Sequence, residues 1–202
     1  MSPDYENEAR SYLDDVSRAI YEVCEEQVDR LAALLVTATF DGRLILAAGN
    51  GGSLATLVHL ATDLEKCVAA AVRSHHAGPG LVPRVHVLGM NGSVLSAWSN
   101  DESWENALRR QVEVWGAPGD VLLVLSASGT SVNLLHAAAA ARQRGMTVAA
   151  LVGRKGSPLA DLAHFRIEVG TEDVQVAEDV HSVVSHSTFR EVRRLILERT
   201  GG

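Results

Sequence analysis

Cysteine is nearly absent: Cys24 and Cys67 are the only two in 202 residues. They lie without metal-ligand spacing in segments that read as helix, as reduced packing residues of a cytoplasmic protein do. Aromatic residues make up 4 % of the chain, which argues against a base-stacking platform. The formal charge of −7 argues against a general nucleic-acid surface. No apolar run approaches the ~18 residues that span a bilayer, and the polar, acidic start MSPDYENEAR does not read as a signal peptide. Lysine is missing from both glycine- and serine-rich turns, so neither is a P-loop. Gly49-Asn50-Gly51 lacks the third glycine of a dinucleotide fingerprint, and no acidic residue closes a following strand. These absences exclude membrane proteins, general nucleic-acid binders and the commoner nucleotide sites.

The sequence does contain two strand–turn–helix junctions. In VLLVLSASGTSVN, five apolar residues, Val121 to Leu125, enter a hydroxyl-rich turn that opens an alanine-rich helix, Leu134 to Arg144. The first turn of a helix leaves backbone N–H groups without acceptors, and the macrodipole places partial positive charge there. Ser126, Ser128, Thr130 and Ser131 add hydroxyl donors, so the expected ligand is a phosphorylated small molecule. One such turn is equally a plain N-cap. A second occurs where the apolar run Arg43–Ala48 enters Gly49-Asn50-Gly51-Gly52-Ser53 and a helix over Leu54–Lys66. Two of these in one small protein indicate a cleft beyond the carboxyl ends of parallel strands.

Residues 4–39 read as one long helix, with Tyr12, Leu13, Val16, Ile20, Val23, Val28, Leu31 and Leu35 at helical spacing. At about 36 residues, roughly 54 Å, it exceeds what covering one sheet face requires. Its stripe is expected to pack on another subunit; the alternative is a bent or broken helix pair within the chain. Strands are expected at Arg43–Ala48, Arg84–Gly89, Val121–Leu125, Thr147–Val152 and Phe165–Val169. Helical stretches separate them at Leu54–Lys66, Ser103–Trp115, Asn133–Arg144 and near Pro158–Leu162, and a last helix covers Asp173–Arg199. Strands alternating with helices give an α/β fold with a parallel sheet covered on both faces. Residues 1–202 read as one domain, with 1–40 as an oligomerisation helix and 41–202 as the α/β core. The loop Ser74–Pro83 is the most flexible-looking segment, and its His75 and His76 receive no role.

His59 and Asp63 stand at i, i+4, on one face of the helix after the glycine turn. Glu178, His181 and His186 lie in the last helix. Two histidines and two carboxylates suit acid–base chemistry or a divalent metal such as zinc. Glu178 and His186 are eight residues apart, about 12 Å of helix. They meet in one small site only if the helix begins near Glu178 or if different subunits supply them.

Taken together, GNGGS (Gly49–Ser53) followed by His59, SASGTS (Ser126–Ser131), Gly145-Met146-Thr147-Val148, Ser157-Pro158-Leu159-Ala160, Asn100-Asp101 and EDVHSVVSH resemble the SIS (sugar isomerase) family, most closely its phosphoheptose isomerase group. The resemblance covers nearly the whole chain. It implies a three-layer, flavodoxin-like fold with a five-stranded parallel sheet, assembled as a homotetramer with intersubunit active sites. It implies conversion of sedoheptulose 7-phosphate to a heptose 7-phosphate through an enediol, and a zinc ion at the site. Carried over, Gly51, Ser53, Ser126, Ser128 and Ser131 serve the phosphate, and Asn50 and Asn91 the sugar chain. His186 falls on the catalytic histidine and His59 on the metal-binding one. The family's catalytic glutamate is Asp63 here, its glutamine is Glu178, and acidic positions are Asn91 and Gln175. A shortening of about 1 to 1.5 Å at Asp63 matters at the ~100-fold level if nothing adjusts, while Glu178 adds a carboxylate. The reading is therefore an isomerase of a C7 or C8 ketose phosphate, with Asp63 or Glu178 as base, His186 as partner, and His59, Asp63, Glu178 and His186 as a metal set. The alternative is a non-catalytic SIS protein that binds a sugar phosphate or a protein partner.

Overall fold

The computed structural model describes residues 4–74 and 81–200; His75, His76 and most of the Ser74–Pro83 loop lie outside the described residues. Five strands form one parallel sheet: β1 (Leu44–Gly49), β2 (Arg84–Val87), β3 (Val121–Ser126), β4 (Thr147–Val152) and β5 (Phe165–Glu168), in the order β2-β1-β3-β4-β5. All five expected strands are present within a residue or two of their expected ends.

Side chains of a strand alternate between faces, so each strand serves two cores. Ile45, Ala47, Leu123, Leu125, Ala149 and Leu151 face one side, where they meet Leu31, Leu35, Leu57, Val180 and Val184. Leu46, Ala48, Leu122, Val124, Val148 and Ala150 face the other, against Leu108, Val112, Leu134, Ala137 and Ala141. The first layer contains α2 (Glu25–Phe40), α3 (Gly51–Thr62) and α9 (Val174–Arg199); the second contains α6 (Trp104–Trp115), α7 (Val132–Gln143) and α8 (Pro158–Leu162). This is the expected three-layer sandwich. Burial of β1, β3 and β4 on both faces explains why they read as unbroken apolar runs.

The N-terminal segment is not the single helix expected but the alternative, a broken helix pair whose stripe packs on the chain's own core. It is two helices, α1 (Asp4–Tyr21) and α2, separated at Glu22–Cys24. Cys24 is extended (φ −75°, ψ 115°) and precedes Glu25 and Glu26, whose charges favour a helix start. The apolar stripe runs on through the break because Tyr12, Val16, Ile20, Val23 and Val28 all pack on the same core. Periodicity therefore concealed the break. Cys24 is exposed at this junction rather than packed within a helix. Tyr12 ties α1 to α9 by donating to Asp179 Oδ2 at 2.6 Å.

Two further elements were not expected. A helix, α5 (Gly92–Asp101), follows β2 and buries none of its residues, so no apolar stripe announced it. The helix after the glycine turn does not run evenly to Lys66: α3 gives way to a π turn over Asp63–Cys67, followed by α4 (Val68–Ser74). No helix among the described residues is long and apolar enough to cross a membrane.

Candidate active site

The strand order reverses direction at β1. The segments leaving the carboxyl ends of β1 and β3 diverge there, and the crevice between them is where open α/β sheets hold ligands. Both glycine- and serine-rich turns flank this crevice.

The β3–α7 turn is held from beneath. The Gly129 N–H donates to Ser126 Oγ at 3.1 Å, so the buried Ser126 oxygen shapes the turn by accepting. Ser128 is exposed, and its Oγ accepts from the N–H and hydroxyl of Thr130. Ser131 is the N-cap of α7, yet its side chain makes no capping bond among the described residues. Gly129 has φ +65°, and a Cβ there would strike Ser157 Oγ. Only glycine gives both the turn and its close seat on the N-terminus of α8.

The β1–α3 turn supplies the second helix N-terminus. Gly51, Gly52 and Ser53 form the first turn of α3, where N–H groups lack intrahelical acceptors. Ser53 is buried at this end. Glu178 reaches it from the second turn of α9. Its carboxylate lies against Gly52 so closely that a Cβ there would collide with both oxygens.

The two turns are joined by a residue that the sequence reading passed over. Asn50 Nδ2 donates to Asn133 Oδ1 at 3.0 Å, and Asn133 Nδ2 donates back to Asn50 Oδ1 at 2.8 Å. Gln111, buried in α6, likewise accepts from the Gly89 N–H at 3.0 Å and fixes the turn after β2. That turn carries Asn91, whose side chain caps α5 by accepting from the Val94 N–H at 3.2 Å. An asparagine opening an alanine-rich helix, and a glutamine on an apolar stripe, were the available signals.

At the other end of α3, His59, Asp63 and His186 converge. Asp63 Oδ2 lies 3.8 Å from His59 Nε2 and 3.9 Å from His186 Nε2. The two imidazoles meet edge to face, with centroids 4.8 Å apart. The histidines are about half exposed, at 59 % and 49 %, while Asp63 is 19 % exposed. Donor atoms of all three lie within 4.8 Å of one another. Two imidazole nitrogens and one carboxylate oxygen are the donor set of a zinc site with an open position, so these residues fit that ion. Asp63 opens the π turn, a rare geometry common at functional sites.

Glu178 does not join this cluster within the chain. α9 starts at Val174, so Glu178 and His186 stand on one continuous helix, about 12 Å apart along its axis. The four-residue metal set expected from sequence is thus three residues plus a carboxylate at the opposite end of α3. His181 belongs to neither group. It is 1 % exposed, its ring nitrogens have no hydrogen-bond partner among the described residues, and burial pushes its pKa down to about 4 against a weaker opposing effect of the Val152 backbone.

The SIS domain family model matches residues 4–153. This chain belongs to the SIS domain family. Among its SIS relatives, the phosphoheptose isomerase of Aquifex aeolicus is 31 % identical over 186 residues, spanning 92 % of this chain and 93 % of that protein. The phosphoheptose isomerase of Thiobacillus denitrificans is 37 % identical over 174 residues, or 85 % and 84 % of the two chains. The solved phosphoheptose isomerase of Neisseria gonorrhoeae superposes with a TM-score of 0.82 at 26 % identity, covering 93 % of this chain and 98 % of that one. The SIS fold accounts for the strand order, and the similarity runs through both turns and the long last helix.

Proposed function

We propose that this chain is a phosphoheptose isomerase, converting sedoheptulose 7-phosphate or a related C7 or C8 ketose phosphate to the heptose phosphate through an enediol. One observation carries the reading: a convergent His59–Asp63–His186 set accompanies the two anion-binding turns. A protein that only binds sugar phosphates needs the turns but not the histidines. The relatives named above support the same substrate class.

In this reading the N-termini of α3 and α7, with Gly51, Ser53, Ser128 and Ser131, take the phosphate, and Ser126 shapes the loop beneath it. Asn50 and Asn91 contact the sugar chain. A carboxylate, Asp63 or Glu178, removes the proton on the carbon next to the carbonyl. His186 moves a proton between the two substrate oxygens, and return of the first proton to the neighbouring carbon completes the isomerisation. His59, Asp63 and His186 would hold zinc, which when bound polarises substrate oxygens as a Lewis acid. A homotetramer would resolve the separation along α9: one subunit's turns and Glu178 would face the His59–Asp63–His186 set of another, where Glu178 of the partner subunit would be available to the same ion.

The test is sedoheptulose 7-phosphate in deuterium oxide, with and without zinc. Expected are an aldose product and solvent deuterium at the carbon next to the carbonyl; neither appearing overturns the reading for that substrate. A second, non-catalytic reading is favoured by one observation, the aspartate at position 63 where the resemblance implies glutamate. Asp63→Glu separates the two. An isomerase tuned around aspartate loses roughly 10- to 100-fold on this shift of about 1 Å, whereas activity appearing only in the variant marks the native chain as a binder.

A further inference from the structure

The Asn50–Asn133 pair has a direction that the chemistry of its neighbours fixes. Leu134 N–H, shared with the Ser131 carbonyl, also reaches the Asn133 side chain at 3.0 Å. A backbone N–H can meet only an oxygen, so that atom of Asn133 is Oδ1. With Asn133 set, its nitrogen faces Asn50 and must find the Asn50 oxygen there, while the Asn50 nitrogen faces Asn133 Oδ1. Both bonds of this ring are short and mutually consistent, and reversing either amide would set oxygen against oxygen and nitrogen against nitrogen. The ring thus turns the Asn50 oxygen toward Asn133, using one of its two lone pairs and one of the two amide hydrogens. One N–H of Asn50 remains. Asn133 is 2 % exposed and touches no ligand space of its own, whereas Asn50 is half-buried at the mouth of the crevice.

We propose that Asn133 is a positioning residue for Asn50, fixing its amide so that it presents an N–H and not a carbonyl to the sugar. This makes that corner of the cleft a selector for an accepting oxygen, a ketose carbonyl or the enediolate derived from it. The proposal rests on the sugar-phosphate reading above. It assigns a specificity role to a buried residue in the helix, one that composes the two turns into one rigid cradle.

Two variants test it by calorimetric titration with sedoheptulose 7-phosphate and with inorganic phosphate. Asn133→Leu keeps the branching at Cγ, though with a larger side chain, and frees Asn50 to turn. It should lose about tenfold in affinity for the sugar phosphate, the value of one hydrogen bond of about 1.4 kcal/mol, and less than twofold for inorganic phosphate. Asn133→Asp places a second carboxylate oxygen against the Asn50 oxygen. It keeps the bond from Asn50 Nδ2 but loses the return bond, so it too should bind the sugar phosphate roughly threefold or more weakly than the native chain. Equal losses for both ligands in the leucine variant overturn the positioning role in favour of a packing role. A native chain that binds the sugar phosphate without turning it over removes the isomerase reading alone; a native chain with no affinity for it overturns both.

Discussion

The two ends of α3 are built differently. At its N-terminus the groups are interlocked: Asn50 with Asn133 at 2.8 and 3.0 Å, Ser126 under Gly129, and Glu178 seated on Gly52. At its C-terminus the groups are brought near but not joined. Asp63 stands 3.8 and 3.9 Å from two imidazoles, beyond hydrogen-bond range, and both rings are about half exposed. The first end is braced within one chain and suits the fixed features of the ligand, the phosphate and the sugar oxygen beside Asn50. The second holds its donors apart, as groups do that close on a metal or a reacting substrate. The eleven residue steps from Gly52 to Asp63 separate these ends by about 16 Å, more than one small sugar phosphate spans comfortably. In the proposed homotetramer a neighbouring copy would bring the two kinds of end together and remove the mismatch.

The largest effect should come from the open end. His186→Ala should lower isomerase turnover by about 10²- to 10⁴-fold, the usual contribution of a proton-transferring side chain. Its affinity for inorganic phosphate should stay within twofold. Mixing this variant with Ser128→Ala, after gentle dissociation and reassembly, should restore part of the activity, because some mixed interfaces then carry both native residues. Light scattering of the native protein should give about four times the 21.6 kDa chain mass. A fully active monomer would collapse the contrast between the ends into a single-chain site.

A second effect concerns the core beneath the braced end. His181, packed near the end of β4, is neutral when folded, with its pKa held near 4 by burial. In the unfolded chain it titrates near 6.5. Above pH 6.5 both states are neutral and the residue leaves stability unchanged. As pH falls below 6.5 only the unfolded state takes up the proton, so stability drops until the folded pKa is reached. Between pH 7.5 and 4.5 this amounts to a loss on the order of 2 to 3 kcal/mol. Urea midpoints at the two pH values should show it for the native chain and show less for His181→Gln. An equal loss in both would move the acid sensitivity to other groups.

The fold was legible because the buried strands and the helices between them carry their periods in sequence. What escaped did so for physical reasons. The break at Cys24 left the apolar stripe in phase, and α5 buries no residue, so neither altered the pattern that periodicity reads. Within the site, His59 and Asp63 were legible from their spacing, and His186 reached them as the resemblance implied. Glu178 was grouped with them because a list of residue types has no distances; the helix axis separates it. Asn133 and Gln111 were missed because their work is done through other residues, Asn50 and the Gly89 backbone, and sequence shows neither contact.

The smallest effect tests the braced end directly. Gly52 lies in the first turn of α3 with an ordinary helical backbone, so alanine is sterically allowed there except for Glu178. Alanine at such a position stabilises a protein by about 0.4–1 kcal/mol, through the lower entropy of the unfolded chain. The clash is with the end of a flexible side chain, which swings aside at little expense to folding. Gly52→Ala should therefore raise the melting temperature slightly while displacing the Glu178 carboxylate from the N-terminus of α3. If that carboxylate is part of the cleft, sugar-phosphate affinity should fall by roughly three- to tenfold, equivalent to about one ordinary hydrogen bond. Stability and binding then move in opposite directions, which general damage to the fold does not produce. Unchanged affinity alongside the higher melting temperature would assign Glu178 to the surface of the turn and leave Asp63 as the carboxylate that serves the reaction.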